Sequence, residues 1–294
     1  KLQEILRSLP DSAEITLSLD DKRLQVRAGK SRFNLQTLPA EDFPQMAISD
    51  GEPRNFSISQ RDFRQLIAKT QYSMAAQDVR YYLNGLLLLV EDKELRAVAT
   101  DGHRLAYSSV AITDELPRQE MILPRKTVLE LNRFLVDTDD LLQISVASNQ
   151  IRFAFGTTVL ISKLIDGKFP DYGRVIPPSL RNHLVVSRDV LMRAMQRAAI
   201  MTNDKFRGVR VVLAENSLKI IAANSEQEEA QEEIEVQYTG ESIDVGFNVS
   251  YLLDVLNNVH TDEIQWSFND ANSSALITVP GNDRFKYVVM PMRI

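Results

Sequence analysis

Apolar and polar positions along the chain alternate between a helical and a strand period. From Ser59 to Ser73 the apolar residues Phe63, Leu66, Ile67, Thr70 and Met74 share one face of a 3.6-residue period, with Arg61, Arg64 and Lys69 off it, so a helix is predicted. Leu86–Val90, Leu95–Ala99 and Arg104–Ile112 read as strands, separated by Glu-Asp and Thr-Asp-Gly turns. Pro124 opens a second helix through Val136. Strands follow at Leu141–Ala147, Ile151–Phe155 and Val159–Ile165. Helices return at Ser187–Met201 and Asn248–Val259. The predicted class is α+β, with helices on one side of antiparallel sheets.

The pattern repeats. Asp78–Asp101 overlays Met201–Asn224 without a gap: Gly85 falls on Gly208, Leu95 on Leu218 and Ala99 on Ala222. At the same offset Leu129 falls on Leu252 and Lys163 on Lys286. A partial third copy starts the chain, where Glu4, Arg7 and Leu9 fall on Glu130, Arg133 and Leu135, and Phe43-Pro44 on Phe169-Pro170. The expected organisation is the back part of one unit, 1–50, then two whole units, 51–172 and 173–294. Chance similarity among amphipathic helices is the plain alternative, and the shared Phe-Pro ending argues against it.

Charge changes this picture. The 294 residues include 34 basic and 40 acidic ones, a net charge of −6. A protein that coats nucleic acid with its whole surface should be basic, so any DNA contact must use one local face. The basic residues gather on helices: Arg193 and Arg197 lie opposite the buried stripe Leu191, Met195, Ala198, and Arg125 and Lys126 begin another helix. Solvated helix faces explain any one of these; the recurrence on repeat-related helices is less ordinary. Lys22–Arg32 has five basic residues and no acid, whereas Glu226–Glu235 has six acids and no base. Two solvated edges would explain both blocks, but opposite charge in the first and last units also suits head-to-tail pairing of chains.

Catalytic chemistry is hard to find. Cysteine is absent, which excludes disulfides and thiolate sites and fits a reducing cytosol. There is no G-x-G-x-x-G, P-loop or G-x-S-x-G, and His103, His183 and His260 lack metal-ligand spacing. In Thr100-Asp-Gly-His-Arg104, Asp101 could orient His103, but an Asp-Gly turn explains the cluster equally well. No apolar run approaches the ~18 residues of a membrane span, and no secretory leader is visible. The first residue is Lys1, so a natural start is expected to be missing. The apolar tail Tyr287–Ile294 carries two methionines, which suit a site accepting several partner peptides; a last core strand is the plainer reading of Tyr287–Met290.

Together the stretches DVRYYLNG (78–85), VATDGHRLA (98–106), DGKFPDYGRVIP (166–177), NDKFRGVRV (203–211), GFNVSYLLDVL (246–256) and VVMPMRI (288–294) resemble the bacterial sliding clamp family, the beta subunits of DNA polymerase III. The resemblance covers the whole chain. It implies a DNA clamp fold of three similar domains, with two chains closed head to tail around duplex DNA, basic helices lining the hole and sheets outside. It implies no enzymatic activity, no cofactor and no metal, a cytoplasmic location, and partners in the replicative polymerase, the clamp loader and repair polymerases. A ring that holds DNA by topology must not stick through counterion release, which an acidic ring with a weakly basic lumen avoids.

The resemblance also implies residue roles. A peptide pocket would use Arg80, Leu83, Thr100, Gly102, His103, Arg104, Leu105, Pro170, Arg174, Val175, Asn248, Tyr251, Val288, Val289, Met290, Pro291, Met292 and Arg293; the family's terminal Leu is Ile294 here. DNA contacts would fall to Gln77, Tyr81, Tyr82, Arg125 and Lys126. The ring interface would join Ile5, Lys30, Arg32 and Phe33 to Ile200, Met201, Glu228, Glu229 and Glu232. Family members have a complete first domain and roughly half of it is absent here, so homodimerisation is expected when that domain is complete, and the chain as written is not expected to close a stable ring. A sequence-specific DNA-binding regulator and an enzyme built on Asp101 and His103 are the alternatives.

Overall fold

The computed structural model describes residues 1–44, 52–203 and 205–293. The expected boundary at 50/51 and Ile294 lie outside the described residues. The chain divides into two compact units, residues 1–48 and 49–294.

In the first unit a short helix, α1 (Leu2–Ser8), precedes a three-stranded antiparallel meander of β1 (Ile15–Asp20), β2 (Arg23–Ala28) and β3 (Ser31–Gln36). Val26 and Ala28 are its buried centre; Ile15, Leu17 and Leu19 alternate along β1 and are exposed.

The second unit begins with β4 (Arg54–Ser59) and α2 (Gln60–Ala68). The Ser59 side chain accepts from the Asp62 N–H at 3.0 Å and caps the helix, which buries Phe63, Leu66 and Ile67. The helix expected to reach Ser73 ends at Ala68 and resumes as a 3₁₀ turn over Gln71–Ser73. Next come β5 (Gly85–Thr100) and β6 (Arg104–Pro124), one long antiparallel hairpin. The turn expected at Glu91-Asp92 does not form. Asp92 takes φ 53° and the register shifts on either side of it, so a bulge absorbs the polar residues and pairing continues. Residues 113–123, to which the sequence pattern assigns no element, extend β6, with Leu116 and Gln119–Leu123 opposite β5.

α3 (Arg125–Phe134), capped by Pro124, buries Val128 and Leu131, and β7 (Leu141–Val146), β8 (Gln150–Phe155) and β9 (Thr158–Lys163) follow. The order β4-β7-β8-β9 makes a four-stranded sheet. Then the pattern recurs: β10 (Asn182–Ser187), α4 (Arg188–Ala199), β11 (Gly208–Ala214), β12 (Ser217–Ala223), β13 (Glu229–Glu235), β14 (Ile243–Asn248), α5 (Val249–Asn258), β15 (Glu263–Phe268), β16 (Ala275–Val279) and β17 (Asn282–Val289). One sheet has the order β13-β12-β11-β14 and another β10-β15-β16-β17-β6-β5. Two large apolar cores result. One gathers α2 and α3 with their sheet, around Phe63 and Phe153 at 5.8 Å between ring centres. The other gathers α4 and α5 around Phe247, Trp266 and Phe268. The β6–β17 pairing joins the two halves in one sheet.

Candidate functional site

That pairing sets Leu105 opposite Val288 and Arg104 opposite Val289. Side chains alternate along a strand, so Leu105 and Val288 fall on one face and Val289 on the other, inside the second core. Leu105 and Val288 join Leu87, Leu89, Val98, Ile122 and Phe169 in a third, small apolar cluster. Above it opens a pocket of about 160 Å³. Its walls are Arg80, Leu83, Thr100, Gly102, His103, Arg104, Phe169, Pro170, Tyr172, Val175 and Met290.

Two tight turns hold the polar rim. In the first, Asn84 accepts from the Asp78 N–H through Oδ1 and donates to the Asp78 carbonyl through Nδ2, both at 2.8 Å. Asp78 in turn accepts from the backbone N–H of Arg80 and from its guanidinium at 2.8–3.0 Å. These bonds from Arg80 pull the Asp78 carboxyl down to about 2, so the pair stays ionised at neutral pH and is lost only as pH falls through that value. In the second turn, Thr100 Oγ1 donates to the Arg104 carbonyl at 2.6 Å and accepts from the Gly102 N–H at 3.1 Å. Asp101 accepts from the backbone N–H groups of His103 (2.9 Å) and Arg104 (3.1 Å). Asp101 therefore builds the turn and does not orient the His103 ring, and the enzyme alternative loses its catalytic pair.

Gly102 sits at φ 91°, and a Cβ there would lie 3.0 Å from the Arg80 guanidinium. Gly102→Ala is expected to cost about 1–2 kcal/mol, seen as a lower denaturant midpoint at unchanged slope; an unchanged midpoint would refute the strain.

Arg104 binds the pocket to the second core. Its Nε donates to Asp101 Oδ2 at 3.1 Å, one terminal nitrogen to the Asp254 carboxylate on α5, and the other to the Tyr72 carbonyl at 2.7 Å. Its guanidinium centre lies 4.5 Å from the Tyr251 ring centre, a cation–π distance.

The expected pocket set divides here. Arg80, Leu83, Thr100, Gly102, His103, Arg104, Leu105, Pro170, Val175, Val288 and Met290 meet around the cavity. Tyr251 backs it, stacked on His103 at 6.5 Å. Arg174 pairs with Asp171 outside the lining, and Asn248 caps α5 by accepting from the Ser250 N–H. Val289 is a core residue. Pro291 follows Met290 beyond β17 without lining the cavity, and Met292 and Arg293 line a neighbouring hollow of about 310 Å³ with Phe206. Phe169 and Tyr172 also line the cavity; both lie in the stretch 166–177 that carries the resemblance, and neither is in the expected pocket set.

Of the residues expected at DNA, Gln77, Tyr81 and Tyr82 flank Arg80, with the two rings edge to face at 5.8 Å. Arg125 is half-buried and donates to the Met74 carbonyl at 3.2 Å, whereas Lys126 is exposed. Of the expected ring-interface residues, Ile200 is exposed, Met201 is half-buried, and Glu228 and Glu229 are exposed at the start of β13, an edge strand. Glu232 is not a free acid: Arg197 of α4 holds it at 2.6 and 2.8 Å and pulls its carboxyl down. Lys30, Arg32 and Phe33 lie at or on β3, the opposite kind of edge, with Ile5 on α1. No group of His, Asp and Glu that could hold a metal ion occurs among the described residues, and none of their helices is long and apolar enough to cross a membrane.

Three family models match in series: the DNA polymerase III beta subunit N-terminal domain over residues 1–47, its central domain over 57–171 and its C-terminal domain over 173–293. The beta sliding clamps of Escherichia coli K12 and Vibrio cholerae are 49% and 47% identical, across the whole chain and 80% of each relative. The solved DNA polymerase III subunit beta of Pseudomonas aeruginosa superposes with a TM-score of 0.93 at 48% identity, covering the whole chain and 81% of that structure. A clamp from C. crescentus gives 0.91 at 40%, covering the whole chain and 80% of that structure. The chain belongs to the family of DNA polymerase III beta subunits and is a DNA sliding clamp, a processivity subunit with no catalytic role of its own.

Proposed function

We propose that the pocket over Leu105 and Val288 is where partner proteins attach, each through a short, partly apolar peptide. The observation that carries this reading is an apolar floor opened between fixed guanidiniums. Leu83, Phe169, Pro170 and Val175 offer anchors for large apolar side chains, and Arg80, oriented by Asp78 through Nε and one terminal nitrogen, can offer its other terminal nitrogen to a backbone carbonyl or a carboxylate. The partners are the replicative polymerase, the clamp loader and repair polymerases, in the cytoplasm. Titration of a labelled peptide ending in two large apolar residues tests the reading. Saturable binding that Leu83→Ala and Val175→Ala both weaken is expected, and unchanged affinity in both would sink it.

The clamp in this reading has domains at 1–50, 51–172 and 173–294, and two chains meet head to tail when the first domain is complete. The basic edge at Arg32 on β3, with Lys30 just before it, suits the acidic edge at Glu229 on β13, with Glu228 just before it, in charge and in open strand pairing. Duplex DNA passes through the ring, touched weakly by Gln77, Tyr81, Tyr82, Arg125 and Lys126.

Arg125→Ala with Lys126→Ala should lower DNA affinity alike for all sequences and make the slope of log affinity against log salt shallower by about one to two. Lys126 should carry more of this than Arg125, whose guanidinium is engaged with Met74. A loss confined to one DNA sequence would instead point to a sequence-specific regulator.

A further inference from the structure

Away from the peptide pocket, a larger cleft of about 580 Å³ lies between the C-terminal half of α2 and the segment that follows α5. Its charged lining is Arg61, Arg64, Lys69, Asp137 and His260, with the Asn258 amide beside them. The only carboxylate among these is already satisfied, because Asp137 holds Arg61 at 2.7 Å and Asp139 holds the same guanidinium at 2.7 Å. Arg64, Lys69 and His260 make no ion pair with any described residue.

Lys69 is the informative member. It is half-buried at the position just after α2, where it caps the helix, and burial, with no acid beside it, pushes its ammonium down from the usual lysine range. A lysine there complements the negative end of the helix dipole, but that does not require it to be half-buried against the cleft. The cleft thus gathers a desolvated ammonium, an unpaired guanidinium, an imidazole and an amide, with no free acid. Such a set matches a compact anion whose several oxygens can each accept a donor.

We propose that this cleft is a phosphate-binding site, distinct from the peptide pocket. The phosphate belongs either to the backbone of duplex DNA held by the clamp, a source that rests on the clamp reading, or to a free polyphosphate, which does not.

The test uses the full chain and the double variant Arg64→Gln, Lys69→Met; methionine keeps the lysine stem's packing. The control is Arg152→Gln with Lys163→Gln, two exposed cations on β8 and β9 that remove the same charge elsewhere. Binding of inorganic tripolyphosphate is followed by calorimetry, and binding of a short labelled duplex by anisotropy at low salt. The double variant should lose at least about fivefold in affinity for one or both probes, and the control should lose less than about twofold. Loss for the duplex alone assigns the site to the nucleic-acid backbone, loss for tripolyphosphate alone to a free polyphosphate, and loss for both to either. Unchanged affinity for both probes, or an equal loss in the control, overturns the site. His260→Gln, which is exposed and cannot unsettle the core, should reproduce a smaller part of the loss, and an unchanged profile there would remove His260 from the site. The labelled-peptide titration should be the same in wild type and double variant, so failure of this site and failure of the pocket are told apart.

Discussion

Replacing Arg104 with alanine is expected to cost about 2–4 kcal/mol of stability and to reduce peptide affinity at least about tenfold. The side chain is one-tenth exposed and makes three charge-assisted bonds, to Asp101, Asp254 and the Tyr72 carbonyl. Alanine leaves the Asp254 carboxylate without its partner and a carbonyl without its donor, and removes the cation stacked on Tyr251. Asp254 is two-fifths exposed, so water recovers part of the loss, which sets the lower end of the range. Arg104→Lys should rescue little, because one ammonium cannot reach three acceptors in one plane. Asp254→Asn should fall between wild type and alanine in both quantities. Equilibrium denaturation and peptide titration on the same preparations check this, and an alanine variant with wild-type values in both would remove Arg104 from the pocket's frame.

Ending the chain after Val289 is expected to weaken peptide binding about 30-fold, roughly 2 kcal/mol, while unfolding remains a single transition shifted by only a few degrees. Met290 forms one wall and is 43% exposed, so its removal opens the cavity without leaving a void in either large core. The truncation also removes two backbone bonds, from the Met290 N–H to the His103 carbonyl at 2.9 Å and from the Met292 N–H to the Gly246 carbonyl at 2.8 Å. Each contributes about 1 kcal/mol, a shift of a few degrees in a unit of this size. The cut must not reach Val289, which is fully buried and pairs with Ala275 and Arg104. A truncated chain that binds peptide as tightly as wild type would exclude the tail from the site.

How far the sequence reached depends on the kind of signal each residue gives. The helices and most strands were legible because one face of each is buried, and burial imposes a period of 3.6 or 2. Where the residues are mostly polar, as over 113–120, the period vanishes and only the partner strand makes the segment β. The doubling of the pattern was legible for the same reason as the helices. The pocket was not legible from pattern at all. Leu105 and Val288 meet through the pairing of β6 with β17, far apart in the chain, and no local period announces that register. Family resemblance supplied most of the lining. It also brought in Val289, which alternation on the strand turns away, and left out Phe169 and Tyr172. Charge alone does not show which partner an acid has. Glu232, expected at the ring interface, is held by Arg197 across the α4–β13 contact, and of the two readings open for Asp101 the turn is the one its hydrogen bonds support. For Glu232 the deciding contact joins two elements; for Asp101 it lies inside a single turn.

The account's central claim is that partners attach at the floor built by Leu105 and Val288, and photo-crosslinking tests it most directly. A short apolar peptide carrying a photoreactive group at its apolar end is bound to the full chain, irradiated, and the adducts mapped by mass spectrometry. The account predicts adducts within residues 80–83, 169–175 and 288–290, the segments that wall the pocket, and their loss in excess unlabelled peptide. Adducts spread over the surface, or gathered at the α2–α5 cleft and unaffected by competitor, would contradict it.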